Sequence, residues 1–180
     1  EIPGRGSASP VVWGDRVFVL TAVPEGVTGD AQHAPRGRVT PRGVHRFVVM
    51  AIDRATGRTV WERVAHEQEP HEQAHVDNGT WASSSPLTDG ERLYAYFESF
   101  GLYAYDLNGK LLWEKDLGDK KMRNEFGEGS TPALHGNTLV IVWDHLGGQS
   151  FIVALGKRDG RELWRQPREG IDKGATPLIL

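Results

Sequence analysis

The sequence predicts an all-β fold assembled from a repeated four-stranded antiparallel unit, and three observations carry that reading. The chain has 22 glycines and 10 prolines in 180 residues, above an average combined share of roughly 12%, so turns are frequent. Its aliphatic and aromatic residues come in short bursts, of strand rather than helix length. One phrase also recurs: AIDRATGRTVW at 51–61 returns as AYDLNGKLLW and as ALGKRDGRELW.

Each unit opens with a hydroxyl residue and a proline: Ser9-Pro10, Ser85-Pro86 and Thr131-Pro132. Proline is tolerated there because the start of a strand needs no ladder donor. A turn follows at Gly14-Asp15, Asp89-Gly90 or Gly136-Asn137, residues that accept positive φ. Strands are predicted over Val17–Thr21, Leu93–Phe97 and Leu139–Trp143, rich in β-branched and aromatic residues. Third strands carry Val48–Ile52, Leu102–Tyr105 and Ile152–Leu155. A last turn at Thr56-Gly57, Asn108-Gly109 or Asp159-Gly160 leads to an outer strand bearing Trp61, Trp113 or Trp164. Pro86, Pro132 and Pro177 stand 46 and 45 residues apart, a period that suits propeller blades.

The predicted organisation is one partial propeller domain over 1–180. Blade 1 covers about 7–66 with an inserted loop at 23–46 that has no strand pattern. Blade 2 covers about 83–118, blade 3 about 129–168, and the next blade starts at 174–180. The three tryptophans are expected to pack between neighbouring blades, each burying on the order of 150–250 Å². Packing is thus their expected role, not cofactor stacking.

The full motif AxDxxTGxxxW is met by Ala51, Asp53, Thr56, Gly57 and Trp61. Ala104, Asp106, Gly109 and Trp113 repeat it with one residue deleted and Asn108 in place of threonine. Ala154, Gly160 and Trp164 repeat it with Gly156 at the aspartate position and Asp159 at the threonine position. This pattern resembles the tryptophan-docking motif of the pyrroloquinoline quinone (PQQ) propeller repeat family. The resemblance implies a ring of seven or eight blades around a channel. The sequence is then expected to be a piece of a longer chain, forming an open arc of about three blades plus the first strand of a fourth.

The family resemblance raises a quinoprotein dehydrogenase as one possibility. It would imply a vicinal cysteine disulfide, a glutamate and asparagine holding Ca²⁺, and an aspartate base. The chain has no cysteine, which excludes disulfides and thiolate chemistry within it, and no such acid set maps onto it. Asp77, Asn78 and Glu98 offer oxygen ligands only of a common kind. No cofactor is therefore expected, and PQQ with Ca²⁺ is the alternative.

The net charge of −3 and pI near 6.2 give no broad positive field for a phosphate backbone, so nucleic acid is not an expected partner. No apolar run reaches the roughly 20 residues of a membrane helix.

His71-Glu72-Gln73-Ala74-His75 spells HExxH, in which two histidines one helical turn apart bind zinc and the glutamate activates water. Asn78-Gly79 interrupts any helix soon after His75, and no third ligand follows at a motif spacing. The expectation for His71, Glu72 and His75 is a solvated connector without metal. Arg36, Arg38, Arg42, His45 and Arg46 make the insertion basic and are expected to be solvated. So is the mixed-charge group Lys120, Lys121, Arg123, Glu125 and Glu128. Asp144-His145 is assigned no chemistry, because no motif places a serine nucleophile beside it.

The leading expectation is a non-catalytic scaffold that binds unidentified protein partners through its loops. The resemblance, which extends to propeller lipoproteins of outer-membrane assembly, implies a periplasmic or extracellular location. The alternatives are a fragment of a quinoprotein dehydrogenase and the ligand-reading domain of a membrane sensor or kinase.

Overall fold

The computed structural model describes residues 1–26, 33–34, 38–41, 43–75, 79–123, 127–169 and 176–177. Asp77, Asn78, Arg36, Arg42 and Glu125 lie outside them, as does most of 174–180.

In chain order the strands begin with β1 (Val11–Trp13), β2 (Arg16–Pro24), β3 (His33–Ala34), β4 (Arg38–Val39), β5 (His45–Asp53), β6 (Thr59–Gln68) and β7 (Ala74–His75). They continue with β8 (Leu87–Thr88), β9 (Arg92–Tyr96), β10 (Leu102–Asp106), β11 (Leu111–Lys115), β12 (Ala133–His135), β13 (Thr138–Trp143), β14 (Phe151–Gly156) and β15 (Glu162–Pro167). Three antiparallel four-stranded sheets result, ordered β1-β2-β5-β6, β8-β9-β10-β11 and β12-β13-β14-β15. The predicted all-β, four-stranded architecture is present.

The middle sheet shows why the sheets pack face to face. Successive side chains of a strand point to opposite faces. Leu93, Ala95, Phe97, Tyr103 and Tyr105 therefore join Phe18, Phe47, Val49 and Trp61 in one core. Tyr94, Tyr96, Leu102 and Ala104 join Leu139, Ile141 and Val153 in a second. LYAYF and LYAYD thus have no polar face, since both faces are buried. Neither of these cores joins the third sheet to the first, so the described residues form an arc.

The recurrent turn now has a physical explanation. Asp53 accepts hydrogen bonds from the backbone N–H of Ala55 (3.1 Å) and Thr56 (2.7 Å) and from the Thr56 hydroxyl (2.7 Å). The Thr56 hydroxyl is the largest influence holding its carboxyl below the usual range. Asp106 accepts from Asn108 and Lys110 N–H, both at 2.9 Å. Where Gly156 replaces the aspartate, Asp159 accepts from Arg161 N–H at 3.1 Å.

The motif alanines pair across the sheet with the tryptophans: Ala51 with Trp61, Ala104 with Trp113, Ala154 with Trp164. All three alanines are fully buried, and a register shift follows each one. Such a bulge twists the outer strand locally, and the indoles of Trp61 and Trp113 then reach the following blade. Trp61 donates to the Leu107 carbonyl at 3.0 Å and Trp113 to the Lys157 carbonyl at 3.1 Å. Each ring lies over a glycine of the next turn. A Cβ on Gly109 would come within 2.8 Å of Trp61, and one on Gly160 within 2.7 Å of Trp113.

A second link runs through the Ser/Thr-Pro pairs. Ser9 N–H donates to the Ser85 hydroxyl (3.1 Å), Ser85 N–H to the Thr131 hydroxyl (3.0 Å), and Thr131 N–H to the Thr176 hydroxyl (3.2 Å). The hydroxyl preceding each proline therefore receives the previous blade.

Two expectations are corrected. The inserted segment is not without strands: β2 extends to Pro24, β5 starts at His45, and β3, β4 and β7 form a separate three-stranded sheet. Two-residue strands are too short to show an alternating pattern, which is why composition hid them. His45 is buried, not solvated. Its Nδ1 lies 3.1 Å from the Gly43 carbonyl and its ring meets Trp81 edge-on. Burial pushes its pKa down.

Candidate functional site

The connectors entering blades 2 and 3 converge on the tight turn between β9 and β10, and there the fold buries charge. The turn is a 3₁₀ segment, Glu98–Phe100. Glu98 has φ of +56°, a left-handed conformation costing a non-glycine residue roughly 1–2 kcal/mol. Three backbone bonds hold it: Phe97 N–H to Gly101 carbonyl (2.8 Å), Phe100 N–H to Phe97 carbonyl (3.0 Å) and Gly101 N–H to Glu98 carbonyl (3.0 Å).

The Glu98 side chain is almost wholly buried, and an isolated carboxylate there would be very costly. It is not isolated. Oε1 accepts from Ser130 N–H at 2.6 Å and lies 3.1 Å from the Ser84 hydroxyl, which is itself 2.5 Å from the Ser130 carbonyl. Oε2 receives the Lys120 ammonium. Lys120 is 1% exposed, its backbone N–H donates to the Ser99 hydroxyl at 3.0 Å, and its Nζ stands 5.0 Å from the Trp143 ring centre. Burial lowers its pKa, but the Glu98 and Glu128 charges outweigh that and the net shift is upward.

Glu128 completes the group. It accepts from Ser99 N–H (2.9 Å) and the Ser99 hydroxyl (2.5 Å), and lies 3.7 Å from Lys120 Nζ. Burial, with the Glu98 charge adding to it, pushes its carboxyl up to about 8 against the opposing pull of Lys120. The expectation of a solvated mixed-charge loop is therefore wrong for Lys120 and Glu128. Lys120 folds inward because it compensates the buried Glu98 charge, and Ser99 holds Glu128 beside it.

The HExxH residues are divided by the fold. His71 and Glu72 lie in a bend and His75 on strand β7, so the helical turn that aligns both histidines in zinc proteases does not form. Within the expected solvated connector His71 is exposed, but Glu72 is buried. Both Glu72 oxygens accept from the Met122 N–H (3.0 and 3.1 Å), and Trp81 Nε1 donates to the Glu72 carbonyl at 3.0 Å. His71 Nε2 lies 2.9 Å from the Lys120 carbonyl and 3.8 Å from Glu128 Oε1. His71, Glu72 and Glu128 each offer one ligand atom, all within 4.8 Å of one another. A cavity of about 10 Å³ adjoins them, walled by Trp81, Phe97, Phe100 and Glu98.

The described residues do not fit a quinone with calcium. Glu98, a deeply buried carboxylate, already has an ammonium group as its charge partner, and the chain has no cysteine to form the vicinal disulfide. Asp144 is buried beside Arg168 at 3.3 Å, and His145 Nδ1 accepts from the Lys121 N–H at 3.1 Å. Sequence reasoning missed Lys120, Glu128 and Ser99. The available signal was the small residues Ser84 and Ser130, 46 positions apart, where two connectors approach one acid.

Among the described residues, no helix is long and apolar enough to cross a membrane. No curated protein matches the chain. Solved structures do match it. A quinohemoprotein alcohol dehydrogenase from Comamonas testosteroni aligns at TM-score 0.54 and 18% identity, over 92% of this chain and 21% of its own. A europium-containing methanol dehydrogenase aligns at 0.52 and 14%, over 89% and 24%. BamB from Moraxella catarrhalis aligns at 0.44 and 16%, over 92% and 50%. The chain thus spans under a quarter of the length of these two dehydrogenases, and the likeness to them is one of fold. The family model described as outer membrane protein assembly factor BamB matches residues 1–142 and again 101–177. With nearly its whole length covered by that model, the chain belongs to the BamB-like family of PQQ-type propeller repeats.

Proposed function

We propose that this chain is part of a non-catalytic propeller scaffold of the bacterial envelope or secreted space, which holds protein partners through its loops. The observation that carries this reading is the double lock between blades. An indole and a hydroxyl from successive units join each sheet to the next, leaving a rigid frame from which loops can vary. Membership of a family named for an outer-membrane assembly factor supports the location.

The test uses the full-length protein. Titration with PQQ and Ca²⁺, followed by a dye-linked dehydrogenase assay, is expected to give neither quinone uptake nor turnover. Photo-crosslinkers placed at the exposed loop residues Val44 and Leu146 in the native host are expected to give discrete protein adducts. Turnover with the quinone, or no discrete adduct from either position, would overturn the reading.

A further inference from the structure

We propose that His71, Glu72 and Glu128 form a site for a divalent transition metal, which clips the connector entering blade 2 to the connector entering blade 3. Their three donor atoms converge within 4.8 Å of one another. One imidazole with two carboxylates is a mixed nitrogen and oxygen set. That suits Zn²⁺ or Mn²⁺, whereas Ca²⁺ sites are built from oxygen.

The donors are held from behind. His71 Nε2 donates to the Lys120 carbonyl at 2.9 Å, which leaves Nδ1 as the ligating nitrogen, and an outer hydrogen bond of that kind orients metal-binding imidazoles. Ser99 steadies Glu128 and the Met122 N–H steadies Glu72, and both carboxylates keep lone pairs for a cation.

The adjoining cavity of about 10 Å³ has room for about one water. Three protein ligands and one water is the open arrangement of zinc sites that keep a position for exchange. A separate observation points the same way. The Ser130 hydroxyl, beside Glu98, is buried with no hydrogen-bond partner. Buried groups of that kind call for a bound water or ion nearby.

The site differs from the HExxH motif in a way that can be measured, because His75 stands on β7 and supplies no ligand. The proposal is also independent of the scaffold reading. Full-length protein, stripped with a chelator, is titrated with Zn²⁺ by calorimetry, with Ca²⁺ as comparator. One Zn²⁺ per chain is expected. His71→Ala and Glu128→Gln should each weaken binding at least tenfold, and His75→Ala and His135→Ala should change it less than twofold. Added Zn²⁺ should raise the melting temperature of the wild type but not of His71→Ala. If Glu128→Gln fails to fold, Glu72→Gln takes its place. Four results would overturn the proposal: no saturable binding, binding that survives both ligand substitutions, a loss in His75→Ala equal to that in His71→Ala, or tighter binding of Ca²⁺ than of Zn²⁺.

Discussion

Replacing Gly109 by alanine tests the blade lock directly. Gly109 has φ of +82°, and an added Cβ would stand 2.8 Å from Trp61 Cδ2 and 3.0 Å from Cε3. The backbone conformation alone costs alanine about 1–2 kcal/mol. Forcing a methyl group against the indole adds about 1–3 kcal/mol, the usual cost of overpacking. Gly57→Ala is the matched control: φ is +70° and open space surrounds the position, so only the first cost applies. The excess of G109A over G57A should therefore be about 1–3 kcal/mol. Equilibrium urea unfolding of the full-length protein reads this as a lower midpoint at constant slope. In a Trp61→Leu background the excess should vanish, since the ring atoms it collides with are gone. If G109A is no worse than G57A, or its excess persists without the indole, then the docking of Trp61 on this turn does not hold the blades together.

Two further outcomes follow from the buried charges. Lys120→Met should destabilise the protein by about 3–5 kcal/mol, because Glu98 is left charged and buried without its partner; adding Glu98→Gln should restore part of the loss in the same unfolding assay. Asp89 forms a 2.8 Å ion pair with Lys157 of the next blade. Burial pushes its carboxyl up, but the Lys157 bond and the N–H groups of Arg92 and Glu91 prevail and hold it at about 2. A folded pKa below the usual aspartate value of 3.8 means stability that is present above that pH and lost as pH falls toward 2. Asp89→Asn should flatten the acid side of a melting-temperature profile between pH 2 and 6, and an unchanged slope would contradict the assignment.

The propeller repeat was readable in the sequence because its parts are local. Asp53 caps its own turn, Gly57 and Gly109 answer to backbone sign, and the tryptophan follows at nearly fixed distance. What the alanine and the Ser/Thr before proline contribute was less apparent, since their partners lie across the sheet or one blade away. Ala51 is small because Trp61 lies opposite it, and Ser85 carries a hydroxyl because Ser9 donates to it. The buried centre left only a faint trace, the serines at Ser84 and Ser130. Lys120 and Glu128 sit in a stretch of mixed charge, and the residues that draw them inward, Glu98 and Ser99, are 21 to 30 positions earlier. No periodic pattern records a contact between irregular segments of two connectors. The HExxH spelling does not take its usual helical geometry, because β7 pairs with β4 and draws His75 into a strand.

The lock between blades also has a direction in time. Trp61 reaches forward to Leu107, 46 residues later, and the first unit cannot close its exposed core until the second unit's turn exists. At a synthesis rate of roughly 5–20 residues per second, that is a wait of about 2–9 s during which a large indole and the Phe18–Phe47 face are uncovered on the nascent chain. Each new blade repeats the interval. A propeller built this way is most vulnerable while it is being made, and chaperones that bind aromatic segments would meet it one blade at a time.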